Sequence, residues 1–163
     1  MISDRWGVTS AEARRRYPCD DVMPDSVVQL WRGVTVRTSP ECLWPWVAQV
    51  RLAPYSYDWI DNLGRRSPQR LCGLSDPVVG EPFTSAFAGR PCGRIVAVSV
   101  GEHLTGQMMR TAMSYVLVPD GSTTRLLLKV VSRWPRSTAW LLSIGDLVMA
   151  RRQLLNLKLL AER

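Results

Sequence analysis

The chain has a single histidine, His103, and four cysteines that never form a CxxC pair. A zinc site takes about four Cys, His or carboxylate ligands at short, repeated spacings. Cys19, Cys42, Cys72 and Cys92 stand too far apart for that, so neither a metal nor a cofactor is expected. They read as four free thiols of a reducing compartment, two or more of them buried. Lysine is also scarce. Lys129 and Lys158 are the only two among 21 basic residues, and the net charge is +7. Such a balance invites a nucleic-acid partner. The arginines scatter, however, apart from Arg14-Arg15-Arg16, Arg65-Arg66 and Arg151-Arg152. A preference for Arg over Lys is also what a GC-rich coding genome produces without any function. A basic surface module for nucleic acid is therefore the third reading, behind two others below. No apolar run is long enough to span a bilayer, the longest uncharged stretch near the C-terminus being Ser137–Gly145. The first residues lack the apolar region of a signal peptide. The expectation is a cytoplasmic protein without stable membrane insertion. Internal repeats, low-complexity tracts, phosphate loops and nucleophile motifs are absent as well.

What is present, in 163 residues that are 46% hydrophobic, is enough for one domain with a real core. Thr9-Ser10-Ala11-Glu12 has the capping-box pattern, which predicts a short helix over about 10–16, ending before Pro18. Alternation then predicts a strand over 27–37. Ser39-Pro40-Glu41 is a helix start: a capping residue, a proline suited to the first turn, and an acid for the positive end of the dipole. Leu43, Val47 and Val50 recur at helical spacing, so a helix is predicted over 40–50. A second short helical segment is predicted over 55–64, stopped by Gly64. Residues 65–92 are rich in proline and glycine and read as loop with one short strand. Strands are predicted at 93–100, 105–118 and 123–134. Pro119-Asp120-Gly121-Ser122 marks the turn of an antiparallel hairpin between the last two. A long helix over 143–161 closes the chain. Segregated helices and an antiparallel sheet give an α+β class.

The faces of these elements supply the candidate binding residues. On strand 105–118, Met109, Met113, Tyr115 and Leu117 share one face, and Arg110 marks the other as outward. On strand 123–131, Leu126, Leu128 and Val130 point inward, opposite Arg125 and Lys129. Arg32 is anomalous, because it shares a face with Leu30, Val34 and Val36. The last helix carries an apolar arc of Ile144, Leu147, Val148, Leu154, Leu155 and Leu159, with Arg151 and Lys158 inside it. The stem of Arg151 either packs while its head meets water or Asp58 or Asp61, or it points into a cavity and anchors an anionic ligand group. Tyr55, Tyr57 and Trp59 read either as aromatic core or as a cavity mouth with phenol handles. His103, beside Glu102 in a turn, reads as solvent-exposed rather than as an acid–base pair.

Arg32-Gly33-Val34-Thr35-Val36, followed by Ser39-Pro40-Glu41-Cys42-Leu43-Trp44-Pro45-Trp46-Val47, resembles the SRPBCC superfamily, the START-domain and polyketide-cyclase-like group. Tyr55-Ser56-Tyr57-Asp58-Trp59-Ile60-Asp61-Asn62-Leu63 is similar to a segment of a bacterial subset of that group. Gly93-Arg94-Ile95-Val96 and the terminal helix fit its later elements. The resemblance covers roughly residues 27–161, read as one domain over 27–163 preceded by an extension over 1–26 with a short helix. It implies a helix-grip fold: a curved antiparallel sheet wrapped around a long C-terminal helix, with two short helices after the first strand. A hydrophobic cavity lies between sheet and helix in such proteins, which bind lipids, sterols or polyketides, some of them as enzymes.

The first reading of function is thus a binding module for a small apolar molecule, non-enzymatic or at most weakly catalytic. Its expected ligand-binding residues are Tyr55, Tyr57, Trp59, Met109, Met113, Tyr115, Leu128, Arg151 and Leu155. The second is a cyclase or dehydratase acting on an aromatic polyketide-like substrate, with a polar dyad such as Tyr115 and Arg151. No catalytic residue is assigned. A homodimer is left open.

Overall fold

The structure is a computed structural model that describes residues 4–58, 63–86 and 89–163; the side chains of residue 86 and of residues 136–147 are outside the description. Its elements are β1 (Arg5–Trp6), α1 (Ser10–Arg14), α2 (Pro18–Val22), β2 (Val28–Val36) and α3 (Pro40–Ala48), which runs into a 3-10 turn over Gln49–Arg51. There follow β3 (Pro82–Ala86), β4 (Arg90–Ser99), β5 (His103–Met108), β6 (Thr111–Asp120), β7 (Thr123–Ser132) and α4 (Arg136–Ala161). The strands form one curved, unclosed seven-stranded sheet in the order β1-β2-β7-β6-β5-β4-β3. Every pairing is antiparallel except the short parallel one of β1 with β2. This is the helix-grip arrangement, with α4 held against one face of the sheet.

Local chemistry explains most boundaries. Ser39 stands at the N-cap of α3 in extended backbone and Pro40 takes the first helical position, as expected. The Ser39 side chain makes no capping hydrogen bond to a backbone N–H of the helix. β6 and β7 are joined at Gly121-Ser122, with Asp120 opposite Thr123 and Gly121 at a φ of 60°, the left-handed geometry that glycine adopts without strain. α4 begins at Arg136, seven residues before the expected start, with Pro135 as its N-cap. Of the helix expected over 55–64, residues 59–62 lie outside the described residues; Tyr55, Ser56 and Tyr57 before them are not helical, Tyr55 having a φ of 53°, so the expected start at 55 is not found.

One expected strand is two. Residues 105–118 are broken by a turn at Met109-Arg110, which makes β5 and β6 a hairpin with Met108 opposite Thr111. Met109 adopts a φ of 53° there, a conformation that a side chain with a Cβ rarely takes, so no glycine advertises the turn. The turn resets the alternation. Met108 faces the same side as Leu104, Met113 and Tyr115, and Met109 stands 81% exposed at the tip.

The sheet has a core on each face. On the α4 side, Leu30, Val34, Leu126, Leu128, Tyr115 and Leu117 pack with Trp44, Trp46 and Val47 of α3 and with Leu154, Leu157 and Leu160 of α4. Arg32 lies on this face and is fully buried; its Nη1 donates to the carbonyls of Asp4 (2.9 Å) and Trp31 (2.8 Å) at the β1–β2 seam. Hydrogen bonding of this kind is what lets a guanidinium stay inside. The opposite face is covered by residues before β2. Tyr17, Cys19 and Met23 pack on Ala112, Val116, Leu127 and Val131. Glu12 makes a two-pronged ion pair with Arg125 (2.8 and 3.0 Å), and Asp20 meets the buried Lys129 at 2.5 Å. Arg125 and Lys129 thus do point away from α4, as their alternation predicts, but toward the N-terminal segment and not toward water. Its α1 has the capping box of Thr9 with Glu12 in full, whereas α2, with Pro18 at its first turn, has no counterpart in the sequence expectation.

All four cysteines are free. One, Cys19, is buried, Cys92 is half-buried and Cys42 and Cys72 are exposed, which corrects the expectation of two or more buried thiols.

Candidate functional site

Between the sheet and α4 lies a cavity of about 260 Å³. Its construction starts at Gly106 on β5. A Cβ built there would lie 2.1 Å from the Phe83 ring, so only glycine lets Phe83 of β3 lie flat on the strand. Phe83 in turn packs against Tyr115 of β6, ring centroids 6.2 Å apart and planes at 32°. Those two rings, with Leu128 and Val130 of β7, form the sheet wall. Val50 and Pro54 from the segment after α3 close one end. Met149, Ala150 and Gln153 of α4 form the opposite wall. Cys92, Met108, Met113 and Ser56 also line it and, like Pro54 and Met149, are half-exposed, so the cavity has a solvent-facing rim. The Cys92 thiol lies 2.9 Å from the Met108 thioether sulfur. Methionine at such a rim is a polarisable wall that adapts its shape.

One polar pair stands out in this lining. The Tyr115 hydroxyl donates to Gln153 Oε1 at 2.6 Å, and Gln153 Nε2 donates to the Pro54 carbonyl at 2.5 Å. Gln153 is buried, so its amide is held by the strand on one side and the loop on the other. None of the described lining side chains carries a charge. Nor do the described lining residues include a nucleophile held by a base, because the Cys92 thiol faces a thioether.

The nine expected site residues divide. Met113, Tyr115 and Leu128 line the cavity. Met109, Arg151 and Leu155 do not. Met109 is at the exposed hairpin tip, for the reason given above. The Arg151 guanidinium stacks over the Trp6 ring, 5.0 Å from its centroid, on the flank of α4 facing β1. It forms no pair with Asp58, whose carboxylate instead accepts from the Ser67 backbone N–H (2.8 Å) and hydroxyl (2.5 Å). Leu155, 37% exposed, is on the outer side of α4. The face turned inward is Ala150, Gln153, Leu154, Leu157 and Leu160. Leucines at 154, 155, 157, 159 and 160 surround the helix almost completely, so periodicity could not select the arc.

Tyr55 and Tyr57 are near the cavity end but outside its lining. Tyr55 is core: its hydroxyl accepts from Gln49 Nε2 at 2.6 Å, and burial pushes its pKa up to about 12. The same Gln49 amide donates to the Arg70 carbonyl and accepts from the Cys72 N–H, pinning the long loop to α3. Tyr57 is half-buried, with the Arg152 guanidinium 5.8 Å from its ring centroid. Trp59 lies outside the described residues. His103 is half-buried at the start of β5, on the face away from α4, and burial lowers its pKa; Glu102 bonds Ser99 and not the imidazole.

Gln153, Phe83, Met108, Met149 and Ala150 are what sequence reasoning missed. Gln153 had a signal: a neutral amide three residues after Ala150 and four before Leu157, in the stripe where a polar group needs a partner. Phe83 had none, since it lies in a stretch that reads as loop.

No protein-family model matches the chain, and no curated protein matches it. Solved structures do. A protein of Mesorhizobium loti is 19% identical, with 83% of this chain and 97% of that chain covered and a TM-score of 0.56. A protein of Rhodobacter sphaeroides is 14% identical over 80% of this chain and 90% of its own, with a TM-score of 0.54. A protein of Nitrosomonas europaea is 15% identical over 81% and 92%, with a TM-score of 0.52. At such identities the likeness is one of fold.

Proposed function

We propose that the chain binds a small apolar molecule in the cavity between the sheet and α4. The observation that carries this reading is the cavity itself: about 260 Å³, walled by aromatic, aliphatic and methionine side chains, with one fixed polar pair inside. Binding sites for small organic molecules have this composition, an apolar wall with a few placed polar groups. A packed interior rarely leaves a void of such size, because each lost contact costs dispersion energy. The resemblance to lipid-, sterol- and polyketide-binding proteins agrees with it.

The cyclase or dehydratase reading needs an acid–base dyad in the cavity. The sequence offered Tyr115 with Arg151. Tyr115 meets Gln153 instead, and Arg151 meets Trp6. The balance therefore favours a binding module. A nucleic-acid surface gains no support either, since several arginines are engaged with acids on separate faces: Arg125 with Glu12, Arg51 with Glu81, Arg133 with Asp25.

A ligand that binds only the folded state stabilises it by RT ln(1 + L/Kd), with L the free ligand concentration, so the melting temperature rises with L. Naphthalene at its solubility limit should raise it for the natural chain. Ala150→Phe, which fills the cavity from α4, should fold and show no rise. Equal responses of the two proteins would place the ligand elsewhere and overturn the proposal.

A further inference from the structure

From the cavity's size and charge we infer the chemical class of its ligand: an uncharged molecule whose buried body has about ten non-hydrogen atoms and carries one hydroxyl or carbonyl group against the Gln153 amide. This inference rests on the binding reading above and narrows it.

Size comes first. A cavity of ~150 Å³ in a protein core holds benzene, with six heavy atoms. By that scale about 260 Å³ holds two fused rings or a chain of similar bulk. A sterol or a long acyl chain would leave most of its length outside the walls.

Charge is the second constraint. The described lining contains no arginine, lysine, histidine or carboxylate. Arg151, the cation that sequence would have placed there, is held by Trp6 outside the cavity. An anionic headgroup entering this lining would lose its hydration and gain no counter-charge, which is expensive in a low-dielectric interior.

The third constraint is the amide. Gln153 has two N–H donors and an oxygen with two lone pairs. One N–H goes to the Pro54 carbonyl and one lone pair takes the Tyr115 hydroxyl. One N–H and one lone pair remain in a buried group fixed from both sides. They match a hydroxyl, which donates and accepts, or a carbonyl, which accepts. A ligand lacking both leaves them unmet in a dry site, and a buried polar group without a partner opposes binding.

Calorimetric titration of the natural chain with naphthalene, 2-naphthol and 2-naphthoate tests all three constraints with one skeleton. The expected order is 2-naphthol roughly fivefold tighter than naphthalene, the worth of one neutral hydrogen bond, with 2-naphthoate at least tenfold weaker than 2-naphthol. Gln153→Met keeps the side chain's length and removes the amide, and should bring naphthol and naphthalene together. Tyr115→Phe leaves the amide in place and should keep naphthol ahead, a second reading if the Gln153 variant does not fold. Naphthoate binding as tightly as naphthol, or an unchanged naphthol preference in Gln153→Met, would overturn the inference while naphthalene binding still upheld the cavity. Failure of all three compounds to bind would overturn the binding reading and this inference with it.

Discussion

Tyr17 and Tyr55 are sealed phenols, one in each core, and burial pushes both pKa values up to about 12 from 10. The sign of the pH dependence follows directly. The unfolded chain ionises its tyrosines near pH 10, whereas the folded chain resists until about 12. The stabilisation from the two protonated phenols is thus complete below pH 10 and is lost as pH rises toward 12. Denaturation midpoints measured across that window should fall, and a Tyr17→Phe/Tyr55→Phe double variant should fall less steeply. Ionisation of Tyr17 and Tyr55 with midpoints near pH 10 and the fold intact would contradict the burial of these groups. Neither phenol's partners could be read from the sequence. Tyr17 bonds the Glu12 carbonyl and Tyr55 the Gln49 amide, and such pairs depend on backbone paths through turns. Tyr55 itself has a φ of 53°, a strained geometry that no propensity forecasts.

At the scale of elements, the legible parts were those with strong local chemistry. The capping box of α1, the Ser39-Pro40 start of α3, the Asp120-Gly121-Ser122 turn and the alternation of β7 each follow from a few adjacent residues, and each is found where expected. The illegible parts were set by geometry at a distance. The turn at Met109-Arg110 has no turn residue and swapped the roles of Met108 and Met109. The rotation of α4, which buries Ala150, Leu154, Leu157 and Leu160, was not legible in a helix that is leucine-rich nearly all round. The N-terminal segment is the other case: its short helices say nothing of the face they will cover. That cover depends on charge pairs at its two ends, Glu12 with Arg125 and Asp20 with Lys129. The Glu12 carboxyl is held below the usual range first by its bond to Arg125, so its contribution is present at neutral pH and lost as pH falls below about 4.5. Glu12→Gln should mimic that loss at neutral pH. Trypsin should then cut the variant at Arg14-Arg15-Arg16 faster than the natural chain, while the rest of the domain resists. Equal cleavage rates would mean that the segment is held without this pair.

The molecule as a whole is a sheet with two unlike faces. One is closed by the chain's own N-terminal segment through ion pairs and small apolar contacts. The other faces α4 and is left incompletely filled, which is why the second is the functional face in this account. The fold class and the inward set Met113, Tyr115 and Leu128 were within reach of sequence patterns, because strand alternation is a local property. The polar anchor we propose was not: that Gln153 and not Arg151 lines the cavity depends on which side of α4 turns inward. The six methionines offer a direct test of the central claim. Met108, Met113 and Met149 line the cavity, Met109 is exposed at a hairpin tip, and Met23 lies in the core on the opposite face. In a methyl-labelled methionine NMR titration with 2-naphthol, the account predicts saturable shifts of the Met108, Met113 and Met149 methyl signals, with those of Met23 and Met109 unmoved. Shifts confined to Met109 or Met23, or no saturable shift at the three lining methionines, would contradict it.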